Sequence, residues 1–180
     1  ARRHYFEHTH REMQAILEGR GRAEAFAPAP GVREFLLALK QAGIRVGVVT
    51  SGLYEKAWPE LVAACRTMGL GDPRAFFDAI VTAGFPMRAG EPGTLGELSP
   101  KPHPWLYAEV CRIGLGIPVE DRHHVVGIED SGAGVCAVRL AGFAAIGMAG
   151  GNISGMTSTS RMLTKCDSSA ANSWYGWPER

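Results

Sequence analysis

The chain has 180 residues, of which 46% are hydrophobic and 21% are charged, and its formal net charge is +1. This composition permits a buried core and is not typical of disordered proteins. The small net charge, without a basic stripe, makes nucleic acid a poor candidate partner. No apolar run approaches the roughly 20 residues that span a bilayer. No signal-peptide pattern opens the chain, so we expect no membrane partner.

The cysteines lie far apart and form no C-x-x-C pair. Three of them fall in apolar helical patterns, which favours buried thiols over disulfides or zinc ligands. We therefore expect a reducing compartment, the cytoplasm. The four positions are Cys65, Cys111, Cys136 and Cys166.

The first half of the chain alternates helical patterns with short apolar runs. Apolar residues recur at helical spacing from Arg3 to Glu18, and a linker rich in Ala and Pro follows at 25–31. Further elements are predicted as an amphipathic helix at 32–41, a buried strand at 44–49 that ends at Thr50-Ser51-Gly52, a helix at 54–67 and a short strand at 79–82.

The second half begins with a loop at 83–99 that is rich in Gly and Pro, and loops of this length are often functional. Beyond Gly151 the pattern dissolves into Ser, Thr, Asn and Gly, so we expect 152–180 to be weakly structured. Helices that separate short apolar strands predict a parallel sheet with right-handed crossovers. These later elements are a helix at 102–113, a strand at 123–128, a helix at 131–141 and a strand at 143–148.

Ligands of such sheets lie beyond the carboxyl ends of the strands. Thr50-Ser51-Gly52 would place a hydroxyl and backbone N–H groups there, which suits phosphate oxygens. The alternative is a polar strand end that caps the next helix. Lys101 lies among Pro100, Pro102 and Pro104 and is predicted to open a helix, where free N–H groups favour an anion. The alternative there is a solvated lysine in a proline-rich loop.

Two adjacent carboxylates, Glu129 and Asp130, follow the apolar strand 123–128. Such neighbours repel each other unless a cation or hydrogen-bond donors neutralise them. Mg²⁺ binds one or two carboxylates together with phosphate oxygens and water, and is the natural partner. Asp130 or Ser131 could equally cap the next helix, and both roles can hold at once. A dinucleotide site fits poorly because no G-x-G-x-x-G is present.

The segments V-V-T-S-G, S-P-K-P-H-P-W and V-V-G-I-E-D-S-G-A-G, in this order, resemble the second, third and fourth motifs of the haloacid dehalogenase-like hydrolases. The similarity is to the beta-phosphoglucomutase and phosphoglycolate-phosphatase relatives, and it covers about 31–151. It implies an α/β core with a Rossmann-like parallel sheet, flanking helices and a helical cap. It also implies a magnesium-dependent enzyme, a phosphatase or phosphomutase of small phosphorylated metabolites that works through an aspartyl phosphate.

The resemblance assigns roles to individual residues of this chain. Thr50, with the N–H groups of Ser51 and Gly52, would hold the transferring phosphate, and Lys101 would neutralise it. Asp130, together with Glu129, would hold Mg²⁺. The sequence does not indicate the substrate or the oligomeric state.

One departure from the family pattern is serious. The first motif, D-x-D-x-[TV], supplies the nucleophilic aspartate, and no D-x-D occurs in the chain. In the family its strand lies between the strands predicted at 44–49 and 123–128, so its absence would leave two edges unpaired. We therefore expect a fragment that is inactive alone, with a cap remnant at 1–24, a core lacking its first strand at 25–151 and a tail at 152–180.

Two other functions stay open. One is a non-catalytic phosphate-binding module related to these hydrolases. The other is a small nucleotide-binding α/β module, which titration with NAD and ATP would reveal.

Overall fold

A computed structural model describes residues 2–20, 28–83, 92–94 and 100–148. The chain divides into two compact units, residues 1–96 and 97–180, which are described separately here. The predicted tail at 152–180, most of the predicted loop 83–99 and residues 25–27 of the predicted linker lie outside the described residues. Within the described ranges, no helix is long and apolar enough to cross a membrane.

Unit 1 contains helices α1 (Arg2–Leu17), α2 (Val32–Gln41), α3 (Tyr54–Met68) and α4 (Pro73–Phe76), and strands β1 (Gly47–Leu53), β2 (Ala79–Ala83) and β3 (Pro92–Thr94). Unit 2 contains α5 (Trp105–Glu109), a π-helical turn (Val110–Gly114), a 3₁₀ helix (Val119–His124), β4 (Val126–Glu129), α6 (Gly132–Leu140) and β5 (Ala144–Gly147).

The sheet of unit 1 is parallel, with the strand order β1-β2-β3. Its middle strand, β2, is buried from Ala79 to Thr82, as expected for a parallel strand covered on both faces. Cys65 of α3, Phe77 and Ile80 form the core cluster, against which Leu36 of α2 also packs. The apolar faces of α2 and α3 therefore meet the sheet, as their helical periodicity predicted.

Two polar contacts fix the helices of unit 1. The Asp78 carboxylate accepts hydrogen bonds from Lys40 Nζ at 2.9 and 2.8 Å and from the Val46 backbone N–H at 2.7 Å. Arg66 of α3 donates to the carbonyl oxygens of Ile16 and Leu17 at 3.2 and 3.0 Å. Because the last carbonyls of a helix lack partners within it, Arg66 caps α1.

The sheet of unit 2 pairs β4 with β5 in parallel. One face packs against α6, where a Cβ added to Gly127 would approach the Val138 methyl groups to 2.5 Å, so only glycine allows this approach. Large apolar side chains on these strands are exposed: Val126 by 54%, Ile128 by 42% and Ile146 by 50%. Parallel sheets usually bury both faces. The face of β4 and β5 that carries these side chains is therefore unusually apolar for an exposed surface.

The predicted α/β class, with parallel sheets and flanking helices, is confirmed. In each sheet the strands near the predicted missing strand, β1 and β4, have a described neighbour on one side only.

Several boundaries differ from the predictions. The predicted strand at 44–49 begins later and continues through Leu53, and β3 lies inside the predicted loop 83–99. His123 and His124, expected to begin a strand, lie in a 3₁₀ helix. Pro59 lies in the second turn of α3.

Candidate functional site

The predicted cation, Lys101, lies in a turn rather than at a helix start. The peptide bond from Lys101 to Pro102 is cis, and α5 begins only at Trp105, with Pro104 as its N-cap. The prediction that Lys101 opens a helix at 102 is therefore wrong. The three prolines explain the late start, because proline lacks an N–H donor and disfavours helical geometry in the residue before it.

Glu129, the last residue of β4, is the buried centre of the site. It is only 6% exposed. Its Oε1 accepts hydrogen bonds from Lys101 Nζ and from the Tyr107 hydroxyl, and its Oε2 accepts one from the Ser131 hydroxyl at 3.2 Å. A buried carboxylate needs such partners, since without them its lost hydration is not compensated. Lys101, 16% exposed, supplies the compensating charge.

The turn from β4 into α6 brings backbone close to this carboxylate. Ser131 is the N-cap of α6, and its hydroxyl accepts a hydrogen bond from the Gly134 N–H at 3.0 Å. A Cβ added to Gly134 would overlap the Glu129 carboxyl group. The capping role considered for this turn thus belongs to Ser131. Asp130, between Glu129 and Ser131, is exposed.

In unit 1, Thr50, Ser51 and Gly52 lie inside β1 rather than after it. Regular pairing with β2 nevertheless ends at Val49 and resumes only at Leu53, so the three residues form an irregular segment. The Thr50 hydroxyl accepts a hydrogen bond from the Gly52 N–H at 3.0 Å. The segment leads into α3, whose N-cap makes no side-chain hydrogen bond.

The predicted site residues therefore fall in two groups. Lys101, Glu129 and Asp130 lie in unit 2, where Lys101 contacts Glu129 directly. Thr50, Ser51 and Gly52 lie in unit 1.

The carboxylates of unit 2 fit Mg²⁺ in their chemistry, because this ion prefers oxygen ligands and needs few from the protein. Asp130 is exposed and therefore accessible to an ion. Glu129 would offer Oε2, which now accepts only the Ser131 hydroxyl among the bonds described for it, whereas Oε1 carries two donors. Across the described ranges, no three His, Cys, Asp or Glu side chains converge on one point. Glu129 and Asp130 would thus contribute one or two ligands.

Sequence reasoning missed Tyr107. It lies within the predicted helix 102–113, whose pattern assigns it no functional role. A buried tyrosine hydroxyl usually has a hydrogen-bond partner, and this general rule was the one signal that Tyr107 could contact a polar group.

A family model described as haloacid dehalogenase-like hydrolase matches residues 2–142. Among solved structures, CbbY from Rhodobacter sphaeroides in complex with phosphate is 28% identical with a TM-score of 0.55, over 79% of this chain and 52% of that one. A mutant CbbY in complex with xylulose-(1,5)bisphosphate is 29% identical with a TM-score of 0.50, over 67% and 45%. A Thermotoga maritima protein assigned as a beta-phosphoglucomutase is 25% identical with a TM-score of 0.54, over 76% and 51%.

The chain spans about half the length of these solved structures. No curated protein matches it at the significance that the structures reach.

Proposed function

Since this chain belongs to the haloacid dehalogenase-like hydrolases, we propose that it forms part of a magnesium-dependent phosphatase or phosphomutase of small phosphorylated metabolites. The observation that carries this proposal is the contact between Lys101 and the buried Glu129 at the end of β4, directly before the exposed Asp130. Solved structures similar to the chain contain phosphate or a sugar bisphosphate.

Lys101 would neutralise the oxygens of the phosphate being transferred. Its ammonium is held by Glu129 and the site is largely desolvated, so little reorganisation would be needed. In phosphoryl transfer, positioning and charge neutralisation account for most of the catalysis. Asp130, with Glu129, would hold Mg²⁺, which would neutralise further phosphate charge when bound.

Thr50, Ser51 and Gly52 would bind phosphate oxygens in unit 1. The Thr50 hydroxyl accepts from Gly52 and can still donate its own proton outward. The Gly52 N–H would have to exchange this partner for a phosphate oxygen. The start of α3, whose N-cap makes no side-chain hydrogen bond, would add a favourable dipole.

The nucleophile is the part of this reaction that the chain does not supply. An aspartyl phosphate requires the aspartate of a D-x-D motif, and the 180 residues contain none. We therefore expect this chain alone to release no p-nitrophenol from p-nitrophenyl phosphate with Mg²⁺. A magnesium-dependent rate that disappears in Asp130→Asn would contradict this division of roles.

Binding of inorganic phosphate tests the proposal without turnover. Calorimetric titration in the presence of Mg²⁺ should detect binding to the chain, weakened about tenfold or more in Lys101→Met, because a charged contact of this kind contributes roughly 1.5–3 kcal/mol. Arg112→Met is the matched control, since Arg112 is a cation of the same unit paired with Glu109 at 3.1 Å. Equal affinity in the wild type and Lys101→Met would refute the assigned role.

In a protein that carries both this chain and the nucleophile, Lys101→Ala should lower turnover about a hundredfold, the scale for one preorganised charge contact. Unchanged turnover on the true substrate would count against Lys101.

A further inference from the structure

Tyr107 has two contacts with the Lys101–Glu129 pair. Its hydroxyl donates to Glu129 Oε1, the same oxygen that accepts from Lys101 Nζ. Its ring lies beside the ammonium, with Lys101 Nζ 5.4 Å from the ring centroid, within the range of a cation–π interaction. One side chain thus touches both charges.

The burial of Tyr107 makes these contacts consequential. The residue is 6% exposed, in the helix that follows the Lys101 turn. A phenylalanine would fill the same apolar space, so the hydroxyl adds nothing to packing. Its contribution is to the carboxylate. The Tyr107 hydroxyl holds Oε1 of Glu129 and the Ser131 hydroxyl holds Oε2. The fixed carboxylate in turn fixes where the ammonium of Lys101 lies.

We propose that Tyr107 is a positioning residue for Lys101: its hydroxyl fixes the Glu129 carboxylate and its ring confines the ammonium. This proposal rests on the proposed function in one respect, that Lys101 acts on a phosphate. The positioning itself is a property of unit 2.

Lysine labelling measures this positioning directly. The side chains of Lys56, Lys40 and Lys101 are 60%, 31% and 16% exposed, so acetic anhydride at low dose should acetylate them in that order. Lys101 must leave Glu129 and the Tyr107 ring to react. Mass spectrometry of the acetylated chain gives each rate, with Lys40 and Lys56 of unit 1 as internal references.

Tyr107→Phe keeps the ring and removes the hydroxyl, and should raise Lys101 acetylation about fivefold, as expected for one lost hydrogen bond of about 1 kcal/mol. Tyr107→Leu also removes the ring and should raise it further. Tyr54→Phe, the same chemical change in unit 1, should leave it unchanged. The rates of Lys40 and Lys56 should stay constant in all three variants, whereas a general loosening of the fold would raise every rate.

A Lys101 rate that is unchanged or lower in Tyr107→Phe would overturn the proposal, and so would a rise shared by all three lysines. Repeating the labelling with inorganic phosphate and Mg²⁺ separates the two proposals. If Tyr107→Phe exposes Lys101 but phosphate does not protect it in the wild type, the positioning stands and the phosphate site fails. If phosphate protects Lys101 equally in both proteins while the Tyr107→Phe rate is unchanged, the reverse holds.

Discussion

The coupling between Lys101 and Glu129 can be measured by a double-mutant cycle with Lys101→Met and Glu129→Gln. Both side chains are well under one-third exposed, at 16% and 6%, so solvent screens their attraction little. Met keeps the length and apolar stem of Lys, and Gln keeps the shape and one acceptor of Glu. The cycle therefore isolates charge with little change in volume.

The expected values follow from the partners that each variant leaves behind. Among the contacts of the described residues, Lys101→Met leaves the buried carboxylate with the hydroxyls of Tyr107 and Ser131. It should lower the free energy of unfolding by about 3 kcal/mol, near the lower limit for breaking a buried pair. Glu129→Gln leaves a lysine that can reach water, and should lower it by about 1–2 kcal/mol. The free energy of unfolding of the double variant should be about 2 kcal/mol higher than the two single effects, added together, would give.

Urea unfolding followed by far-UV circular dichroism, with all four proteins at one pH and salt concentration, gives these values. Additive effects, with a coupling below about 0.5 kcal/mol, would refute the contact and with it the charge compensation of Glu129. A rise in salt to 1 M should reduce the coupling only modestly, because buried pairs are screened less than exposed ones.

Three further predictions concern individual side chains. Gly134→Ala should lower the free energy of unfolding by about 1–3 kcal/mol in urea melts, because the new methyl group overlaps the Glu129 carboxyl group; a neutral effect would contradict the close approach. Burial raises the pKa of Asp78, but hydrogen bonds from Lys40 and the Val46 N–H outweigh it and hold the pKa below its ordinary value. The stability that these hydrogen bonds add is present above the unfolded pKa of Asp78 and is lost as the pH falls through its lower folded pKa. Asp78→Asn should therefore destabilise by about 1 kcal/mol at pH 7, and melts of the two proteins should converge as the pH falls through that folded pKa. Burial raises the pKa of the Cys65 thiol to about 11, so Cys65 should resist Ellman's reagent at pH 8 until urea unfolds the chain. Rapid modification of Cys65 itself in the native protein would disprove its burial.

The elements of unit 1 were predictable because local periodicity and stop residues determine them. The helix at 32–41 matches α2 at both ends. Its apolar spacing starts after Gly31 and its pattern stops before Gly43, both of which adopt positive φ angles. The strand before α3 was harder to delimit. Its irregular pairing after Val49 depends on the register with β2, which the local sequence does not encode.

The centre of the site was only partly predictable. The sequence shows the adjacent carboxylates Glu129 and Asp130 and a lysine between prolines. It does not show that Lys101 pairs with Glu129. Glu129 is bound by residues 28 and 22 positions away in the chain, and such contacts follow from packing rather than from periodicity. The late start of α5 was predictable, since His103 precedes Pro104 and is disfavoured in helical geometry for that reason.

The stability of a buried ion pair is a weak reason for its presence. Apolar side chains of similar volume in place of such pairs are often neutral or stabilising, because desolvation offsets most of the attraction. Unit 2 nevertheless places Lys101, Tyr107 and Ser131 around Glu129 and leaves Gly134 without a side chain to make room for it. Because this arrangement lies at the end of a parallel strand, where ligands bind, we propose that it serves a ligand. An ammonium that its carboxylate holds in place, beside a second carboxylate that is exposed, suits an anion that arrives together with a divalent cation, and a phosphate with Mg²⁺ meets both conditions.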